Sequence, residues 1–294
     1  MREVAEAIAK DSDANPVENK LLQACCRHLE KNELILPTIP EVALKIRRAI
    51  NDEKASSTKI ARIVQTDPSL TARLIKISNS AFYRGRKTIG SCPEAITRLG
   101  LRSTRDIITA FSLKTVFTAK SPFIRHKMIE LWKHSSFVAS ISAVLAHKAK
   151  GFDPDRAMLA GLIHDIGKVP LLAFADQHIE LASNSDHLNE TIDRLHGLIG
   201  LNIVRQWNFP DDFGDVVIHS ENWQRDSGAP ADYPDIVMLA QFHSLIGKVD
   251  IKTLPKISTL PAYQKIAHHL DANDSITILD IAKDEIQMIQ QMLG

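Results

Sequence analysis

The stretch DRAMLAGLIHDIGKVPLL, residues 155–172, decides the fold, because it is apolar for most of its length. A helix that is apolar on nearly every side is buried among other helices. The Asp-Pro pair at 153–154 precedes it, and these are the residue types favoured at a helix N-cap and first turn. We therefore predict one central helix here, in which His164, Asp165 and Lys168 interrupt the apolar run that follows Arg156.

The rest of the chain repeats the helical pattern. Apolar residues recur every three or four positions, and no convincing run alternates strictly between apolar and polar residues. Asp67 with Pro68 begins one predicted helix, and Ser91 with Pro93 begins another that ends at Gly100. Further helices are predicted over residues 129–150, 195–210, 234–247 and 275–293, with one more around His219 after Pro210. The pattern predicts an all-α protein.

Composition places the chain among ordinary globular proteins. Of its 294 residues, 44% are hydrophobic and 24% are charged, and the formal net charge is +1. A chain of this length and apolar content has enough residues to bury a sizeable core. A nearly neutral chain has no overall field that would attract it to nucleic acid or to an anionic membrane.

The cysteines and the N-terminal segment indicate in which cellular compartment the protein is expected. Cys25, Cys26 and Cys92 form neither an even disulfide framework nor a spaced metal pair, so we expect free thiols. The segment over residues 1–16 is charged throughout and lacks the apolar core of a signal peptide. We expect no apolar run to be long enough to cross a bilayer, so the cytoplasm is the expected location.

The adjacent His164 and Asp165 are the residues that point to chemistry. An ionised carboxylate within an apolar helix is costly unless it is paired or bound to a cation. Imidazole nitrogen and carboxylate oxygen are ligands for divalent transition metals, and helices of a bundle can bring such ligands together. A structural network of hydrogen bonds that includes Lys168 explains the same residues, and both explanations remain open at this point.

Six segments of the chain resemble the HDOD family, a branch of the HD superfamily of metal-dependent phosphohydrolases. These segments are LPTIPEVALKI (36–46), IARIVQTDPSLTARLIKISNSAFY (60–83), IGSCPEAITRLGL (89–101), LWKHSSFVAS (131–140), AGLIHDIGK (160–168) and HGLIGLNIVRQWNFP (196–210). The resemblance extends over about residues 34–245, which is most of the chain.

The resemblance implies a set of metal ligands. In catalytic members of the superfamily an early histidine, the His-Asp pair and a later aspartate hold one metal ion, and further histidines hold a second. The residues that match the first ion's ligands here are His134, His164 and Asp165. His196 and His219 match the later histidines, and Lys168 matches the lysine of the His-Asp-x-Gly-Lys motif.

Two positions depart from the catalytic pattern. Gln241 stands where the final aspartate is expected, and Ser220 stands where a second histidine would follow His219. A neutral amide is a weaker ligand than a carboxylate for hard and borderline divalent ions. We expect His134, His164, Asp165, His196 and His219 to line one cavity, with Gln241 facing it, and Gln241→Asp to tighten metal binding.

The resemblance also implies the architecture, a two-lobed helical bundle of the HDOD or HD-domain type. We predict an N-terminal helical extension over residues 1–33, an HDOD domain over 34–245 and a C-terminal helical tail over 246–294. Within the domain, residues 34–122 form the N-terminal lobe and residues 123–245 the HD-like lobe. The last helix should pack against these lobes.

Two functions follow from these expectations. The preferred one is a regulatory module of bacterial-type signalling, weakly catalytic or non-catalytic, because the site has lost acidic charge at Gln241. The alternative is a metal-dependent phosphohydrolase acting on a phosphate ester or nucleotide, with Asp165 and Lys168 as catalytic residues.

The cofactor would be Mn, Fe, Ni or Mg, or no ion at all. The expected partners are signalling proteins and a phosphate-containing small molecule, with neither nucleic acid nor membrane. The sequence does not determine the oligomeric state.

Overall fold

The structure is a computed structural model that describes residues 19–52, 55–83, 85–267, 280 and 282–294. Within these ranges the chain is helical and contains no β-strand, which confirms the all-α prediction. The N-terminal helices are α1 (Lys20–Glu30), α2 (Glu41–Ile50), α3 (Ser57–Val64), α4 (Pro68–Ser78), α5 (Cys92–Leu99) and α6 (Leu101–Leu113). A short 3₁₀ segment, Lys114–Val116, follows them.

The second half contains nine helices among the described residues, including the two longest. They are α7 (Pro122–Lys148), α8 (Pro154–Ile163), α9 (Lys168–Gln177), α10 (Ile179–Ala182), α11 (Ser185–Gln206), α12 (Asp211–His219), α13 (Tyr233–Leu245), α14 (Pro261–Ala267) and α15 (Lys283–Leu293). Of the tail helix predicted over 275–293, residues 275–279 and 281 lie outside the described residues. Its described part, α15, packs against α7.

Predicted helix starts are confirmed by their capping geometry. Asp67 Oδ1 accepts hydrogen bonds from the backbone amides of Ser69 at 2.8 Å and Leu70 at 3.1 Å. Asp153 caps α8 in the same way, with the amide of Asp155 at 2.9 Å. These side chains satisfy amide groups that have no partner inside the helix. At the end of α5, Gly100 adopts a φ of +83°, which a residue with a Cβ rarely adopts.

The central apolar segment is not one continuous helix, which corrects the sequence prediction. α8 ends at Ile163, and His164 and Asp165 lie in the turn that precedes α9. Pro170 explains the break, because it has no amide hydrogen and its ring would clash with the carbonyl four residues earlier in a continued helix. The turn uses tighter bonds, such as Lys168 N to Asp165 O at 2.9 Å. The His-Asp pair therefore lies at a bend.

The long helix α7 also begins earlier than predicted. The sequence pattern indicated a start near residue 129, whereas α7 begins at Pro122. Ser121 is its N-cap and accepts a hydrogen bond from the amide of Ile124 at 3.3 Å. The apolar stripe is weak in this first part because several of its residues are exposed, so periodicity alone placed the start too late.

Packing centres on the pair formed by α7 and α8. α13, α9 and α15 also pack on α7, whereas α12 lies between α11 and α13. α6 joins the N-terminal helices to this group by packing on both α2 and α8. One cluster of buried apolar side chains extends from Leu21 to Leu293. The predicted boundaries at residues 33, 122 and 245 stay a prediction.

Two further predictions from the sequence concern the cysteines and the apolar segments. All three cysteines are free, as expected. The expectation that no apolar run could cross a membrane is wrong for the 24-residue segment Pro154–Gln177, which is long and apolar enough by length and composition. Within the protein, 89% of its most apolar window is buried. This burial is typical of the core of a soluble protein, so the segment is weak evidence for a membrane.

Candidate metal centre

Five helical elements meet at the His-Asp turn. His134 comes from the middle of α7, and His164 and Asp165 come from the turn between α8 and α9. His196 comes from α11, and Glu221 follows the end of α12. These five side chains form two groups of possible metal ligands, and both groups include Asp165.

The first donor group consists of His134, His164 and Asp165. One ligand atom from each residue lies within 4.8 Å of the other two. Asp165 Oδ2 lies 3.3 Å from His164 Nε2 and 3.7 Å from His134 Nε2. His164 and Asp165 are each only 1% exposed. The group is thus a compact set of two imidazoles and one carboxylate, in which only the His134 side chain, 22% exposed, is open to solvent.

Backbone carbonyls set the tautomer of two histidines. His164 Nδ1 lies 2.7 Å from the carbonyl oxygen of Gly161, and His196 Nδ1 lies 2.9 Å from that of Ile192. A carbonyl oxygen only accepts hydrogen bonds, so each Nδ1 must carry the proton and donate it. In the neutral form of each ring the lone pair is then on Nε2. This is the arrangement that orients histidine ligands around metal ions.

The second donor group consists of Asp165, His196 and Glu221. Their ligand atoms also lie within 4.8 Å of one another, and His196 Nε2 is 4.0 Å from Glu221 Oε2. This group is nearer the surface, because the Glu221 side chain is 41% exposed. A cavity of about 330 Å³ reaches it and is lined by His196, Ser220 and Glu221, but not by His134, His164 or Asp165.

Lys168 links the two groups. Its Nζ lies 2.8 Å from Asp165 Oδ2 and 3.4 Å from Glu221 Oε1. Burial acts to lower the pKa of Lys168, but the carboxylates of Asp165 and Glu221 outweigh it and raise this pKa to about 12. The ammonium group is therefore charged wherever the protein is folded near neutral pH.

The first donor group is electrostatically ready to bind a cation. Burial, with a smaller effect of neighbouring His164, lowers the pKa of His134 to about 3, so its ring is neutral. Burial also opposes ionisation of Asp165, yet His164 and Lys168 hold the pKa of Asp165 well below its ordinary value. Neutral imidazole and ionised carboxylate are the protonation states that bind metal ions.

Gly167 allows the His-Asp turn to approach α11. A Cβ atom on Gly167 would collide with the carbonyl oxygen of His196 and would lie 2.6 Å from the amide nitrogen of Gly200. Both obstacles are backbone atoms, which a side-chain rotation cannot move away. The glycine of the His-Asp-x-Gly-Lys motif is therefore needed to bring Asp165 and Lys168 next to His196.

Gln241, Ser220 and His219 have different surroundings. Gln241 is 3% exposed, and its Nε2 donates to Glu221 Oε1 at 3.4 Å while its Oε1 accepts from Ser244 Oγ at 3.3 Å. Gln241 therefore faces the second donor group and not solvent. Ser220 is buried. His219 is half-buried and belongs to neither donor group found among the described residues.

The sequence of this chain matches one protein family. A model of the HDOD domain matches residues 36–223. The chain belongs to the HDOD family. The match covers α2 to α6 and the donor residues from His134 to Glu221, whereas α1 and Gln241 lie outside it.

Solved HDOD-like structures share the fold over nearly the whole chain. A Shewanella amazonensis protein, named provisionally as a metal-dependent phosphohydrolase, is 25% identical with a TM-score of 0.79, covering 94% of this chain and 98% of the other. An HDOD domain protein of unknown function from Geobacter sulfurreducens is 24% identical with a TM-score of 0.65, and the coverage is again 94% and 98%.

One relative among curated proteins is an uncharacterized protein of Treponema pallidum. It is 25% identical over 224 residues, which are 71% of this chain. The HDOD chain matches only 42% of the length of that relative. The similarity therefore concerns part of a longer protein.

The residues of this HDOD chain fit a divalent cation at the first donor group. His164 Nε2 and Asp165 Oδ1 are buried and have no hydrogen-bond partner. A buried polar atom without a partner costs about 1–3 kcal/mol. A metal ion bound to both atoms would remove that cost, and the combination of imidazole and carboxylate suits Mn, Fe or Ni better than the all-oxygen preference of Mg.

Glu221 is the residue that the sequence analysis missed. It contacts Lys168, His196 and Gln241, three members of the site. The resemblance drew attention to His219 and to the missing histidine at Ser220, not to the acidic residue after them. A signal was present, because a carboxylate directly after His219 and Ser220 lies where the chain leaves α12 next to the site.

Proposed function

We propose that this chain is a regulatory HDOD module of bacterial-type signalling. In this proposal it binds one divalent metal ion through His134, His164 and Asp165, and it hydrolyses phosphate esters slowly or not at all. Its partners are signalling proteins, it works in the cytoplasm, and any small-molecule ligand contains phosphate. The observation that carries the proposal is that the cavity at the second donor group is lined by none of His134, His164 and Asp165.

A phosphohydrolase needs space for substrate at its metal ion. Hydrolysis requires a metal-bound water or hydroxide beside a phosphate group, with an open coordination position. The cavity here is lined by His196 and Glu221, and the Asp165 side chain behind them is 1% exposed. Glu221 also places a carboxylate where a phosphate would approach, and like charges repel.

A metal ion at the first donor group would be structural in this proposal. When bound, it would supply positive charge that neutralises Asp165 and would crosslink α7 to the turn between α8 and α9. Such an ion stabilises the fold through its binding free energy. Loss or replacement of the ion would change the position of α7. Because α7 contacts α8, α13 and α15, the change would reach those helices.

The second candidate is a metal-dependent phosphohydrolase. The second donor group favours it, since Asp165 could be shared by two ions held by His134, His164, His196 and Glu221. Lys168 would then have to leave Asp165 and contact the phosphate. The provisional name of the Shewanella amazonensis neighbour points in this direction.

The experiment combines metal content with turnover. Purified protein is depleted of metal, titrated with Mn²⁺ by isothermal titration calorimetry, and assayed on p-nitrophenyl phosphate, nucleotides and cyclic dinucleotides with Mn²⁺ or Fe²⁺. We expect Mn²⁺ to bind and turnover to equal that of Asp165→Ala. Metal-dependent turnover that Asp165→Ala abolishes would establish the phosphohydrolase instead.

A further inference from the structure

We propose that the ammonium group of Lys168 occupies the place of a second divalent ion, so that this centre holds one metal ion and a tethered cation. The inference rests on the proposed function, because it assumes that the first donor group binds metal. It adds a specific role for Lys168 and Glu221. Together these two residues keep the centre mononuclear.

The geometry is that of a cation between two carboxylates. Lys168 Nζ lies 2.8 Å from Asp165 Oδ2 and 3.4 Å from Glu221 Oε1, and its side chain is 19% exposed. Asp165 and Glu221 are two of the three residues that would hold an ion in the second donor group. The ammonium group and a second metal ion would therefore compete for the same two carboxylates.

The tethered cation has an advantage in this competition. It is covalently attached three residues from Asp165, so it loses little translational freedom when it pairs, whereas a free ion must be bound from solution. For a second ion to enter, Lys168 would have to give up both ion pairs. The ion would then have to offset the loss of both pairs, one of which joins Lys168 to the 1%-exposed side chain of Asp165.

Glu221 and Gln241 hold this arrangement in place. Gln241 Nε2 donates to the same Glu221 oxygen that faces Lys168, and Ser244 Oγ contacts Gln241 Oε1. A neutral amide can donate to Glu221, whereas an aspartate at position 241 would repel it. The neutral amide of Gln241 thus keeps the Glu221 carboxylate next to Lys168. This pairing favours an ammonium group over a second metal ion.

The test is the number of Mn²⁺ ions bound per chain. Wild-type protein and Lys168→Met are titrated with Mn²⁺ by calorimetry and by electron paramagnetic resonance, which distinguishes an isolated Mn²⁺ from two coupled ions about 3.5–4 Å apart. Methionine is close to lysine in length and has no charge. We expect one ion in the wild type and two coupled ions in Lys168→Met.

Three further variants separate charge from packing. Lys168→Arg keeps the cation and should bind one ion. Lys168→Gln should bind two ions, as Lys168→Met does, and provides the same test if the methionine variant does not fold. Lys168→Met combined with Glu221→Gln should return to one ion, because the second position has then lost a carboxylate.

The outcomes distinguish this inference from the proposed function. Two ions in the wild type, or one ion in both Lys168→Met and Lys168→Gln, would overturn the inference while the metal-binding proposal stands. If neither the wild type nor these variants bind Mn²⁺, the metal-binding proposal itself fails and the inference fails with it.

Discussion

Asp155 and Asp165 lie at opposite ends of α8, and both are buried, with 2% and 1% exposure. Burial raises the pKa of Asp155 to about 6, and the hydrogen bonds from Ser103 and Tyr83 only partly offset it. The pKa of Asp165 is instead held well below its ordinary value, because His164 and Lys168 outweigh the same effect of burial.

The difference shows that burial alone does not decide which carboxylate can bind a metal ion. Asp155 contacts a hydroxyl group, so near pH 6 a proton competes for it. Asp165 has cationic and imidazole neighbours and stays ionised to lower pH. The predictions below change one of the two carboxylates or the surroundings of Asp165.

The largest effect is expected from removing the two carboxylates in turn. Asp165→Asn should weaken Mn²⁺ binding by more than about 100-fold, because the loss of a direct ligand exceeds the effect of changing its hydrogen-bonded neighbours. Asp155→Asn is the matched control and should leave Mn²⁺ affinity within about twofold, since Asp155 lies in neither donor group. Calorimetric titration measures both. Equal losses in the two variants would show that the fold, not the ligand, was affected.

A second pair of variants tests the close approach that brings Asp165 to His196. Gly167→Ala places a Cβ against backbone atoms of α11 and should lower the free energy of unfolding by about 3 kcal/mol. Gly197→Ala is the control, because the atom nearest its added Cβ is the Val217 carbonyl oxygen at 3.4 Å, an ordinary contact. That variant should change stability by at most about 1 kcal/mol. Urea unfolding that gives equal values for both would contradict the account.

The pH dependence of stability should reveal the raised pKa of Asp155 in metal-free protein. Between its ordinary value of 3.8 and about 6, the folded protein holds a proton that the unfolded chain has released. The resulting stabilisation is fully present below pH 3.8 and is lost as pH rises through about 6.

Relative to Asp155→Asn, wild-type protein should therefore lose about 2 kcal/mol between pH 4 and pH 7. Asp165 should behave in the opposite sense, because its stabilising contribution is present at neutral pH and is lost only on acidification below its ordinary range. Urea unfolding at several pH values measures the free energy of unfolding of the wild type and of Asp155→Asn, and it also shows the loss of stability on acidification that is due to Asp165. A wild-type advantage over Asp155→Asn that grows with pH would contradict the assignment.

The smallest effect is expected at Gln241. Gln241→Asp adds an anionic oxygen near the centre and should tighten Mn²⁺ binding by up to about tenfold. Gln241→Asn has the same length as the aspartate variant and no charge, so it isolates the effect of the charge. Should both variants bind Mn²⁺ with the same affinity, Gln241 would not occupy the position of the missing carboxylate.

The sequence predicted the helices well where local chemistry decides them. Asp67 and Asp153 cap their helices as expected, because a cap depends on residues two or three positions apart. The break at residues 164–167 was missed because apolar periodicity does not register a bend between two equally buried helices. Pro170 was the available sign of it.

The site was only partly predictable for a similar reason. The resemblance identified His134, His164 and Asp165, which the structure brings together, although their role as ligands stays a prediction. It also named His219, which lies in neither donor group of the described residues, and it missed Glu221. The position of Glu221 depends on how the chain leaves α12 beside α9 and α13, and spacing along the sequence does not contain that information.

The most direct test of the account is a crystal structure of wild-type protein soaked with Mn²⁺, with anomalous diffraction data that locate the ion. We predict one anomalous peak at bonding distance from His134, His164 and Asp165, with Lys168 Nζ still between Asp165 and Glu221. A peak between Asp165, His196 and Glu221 with Lys168 displaced, or no peak at the first donor group, would contradict it.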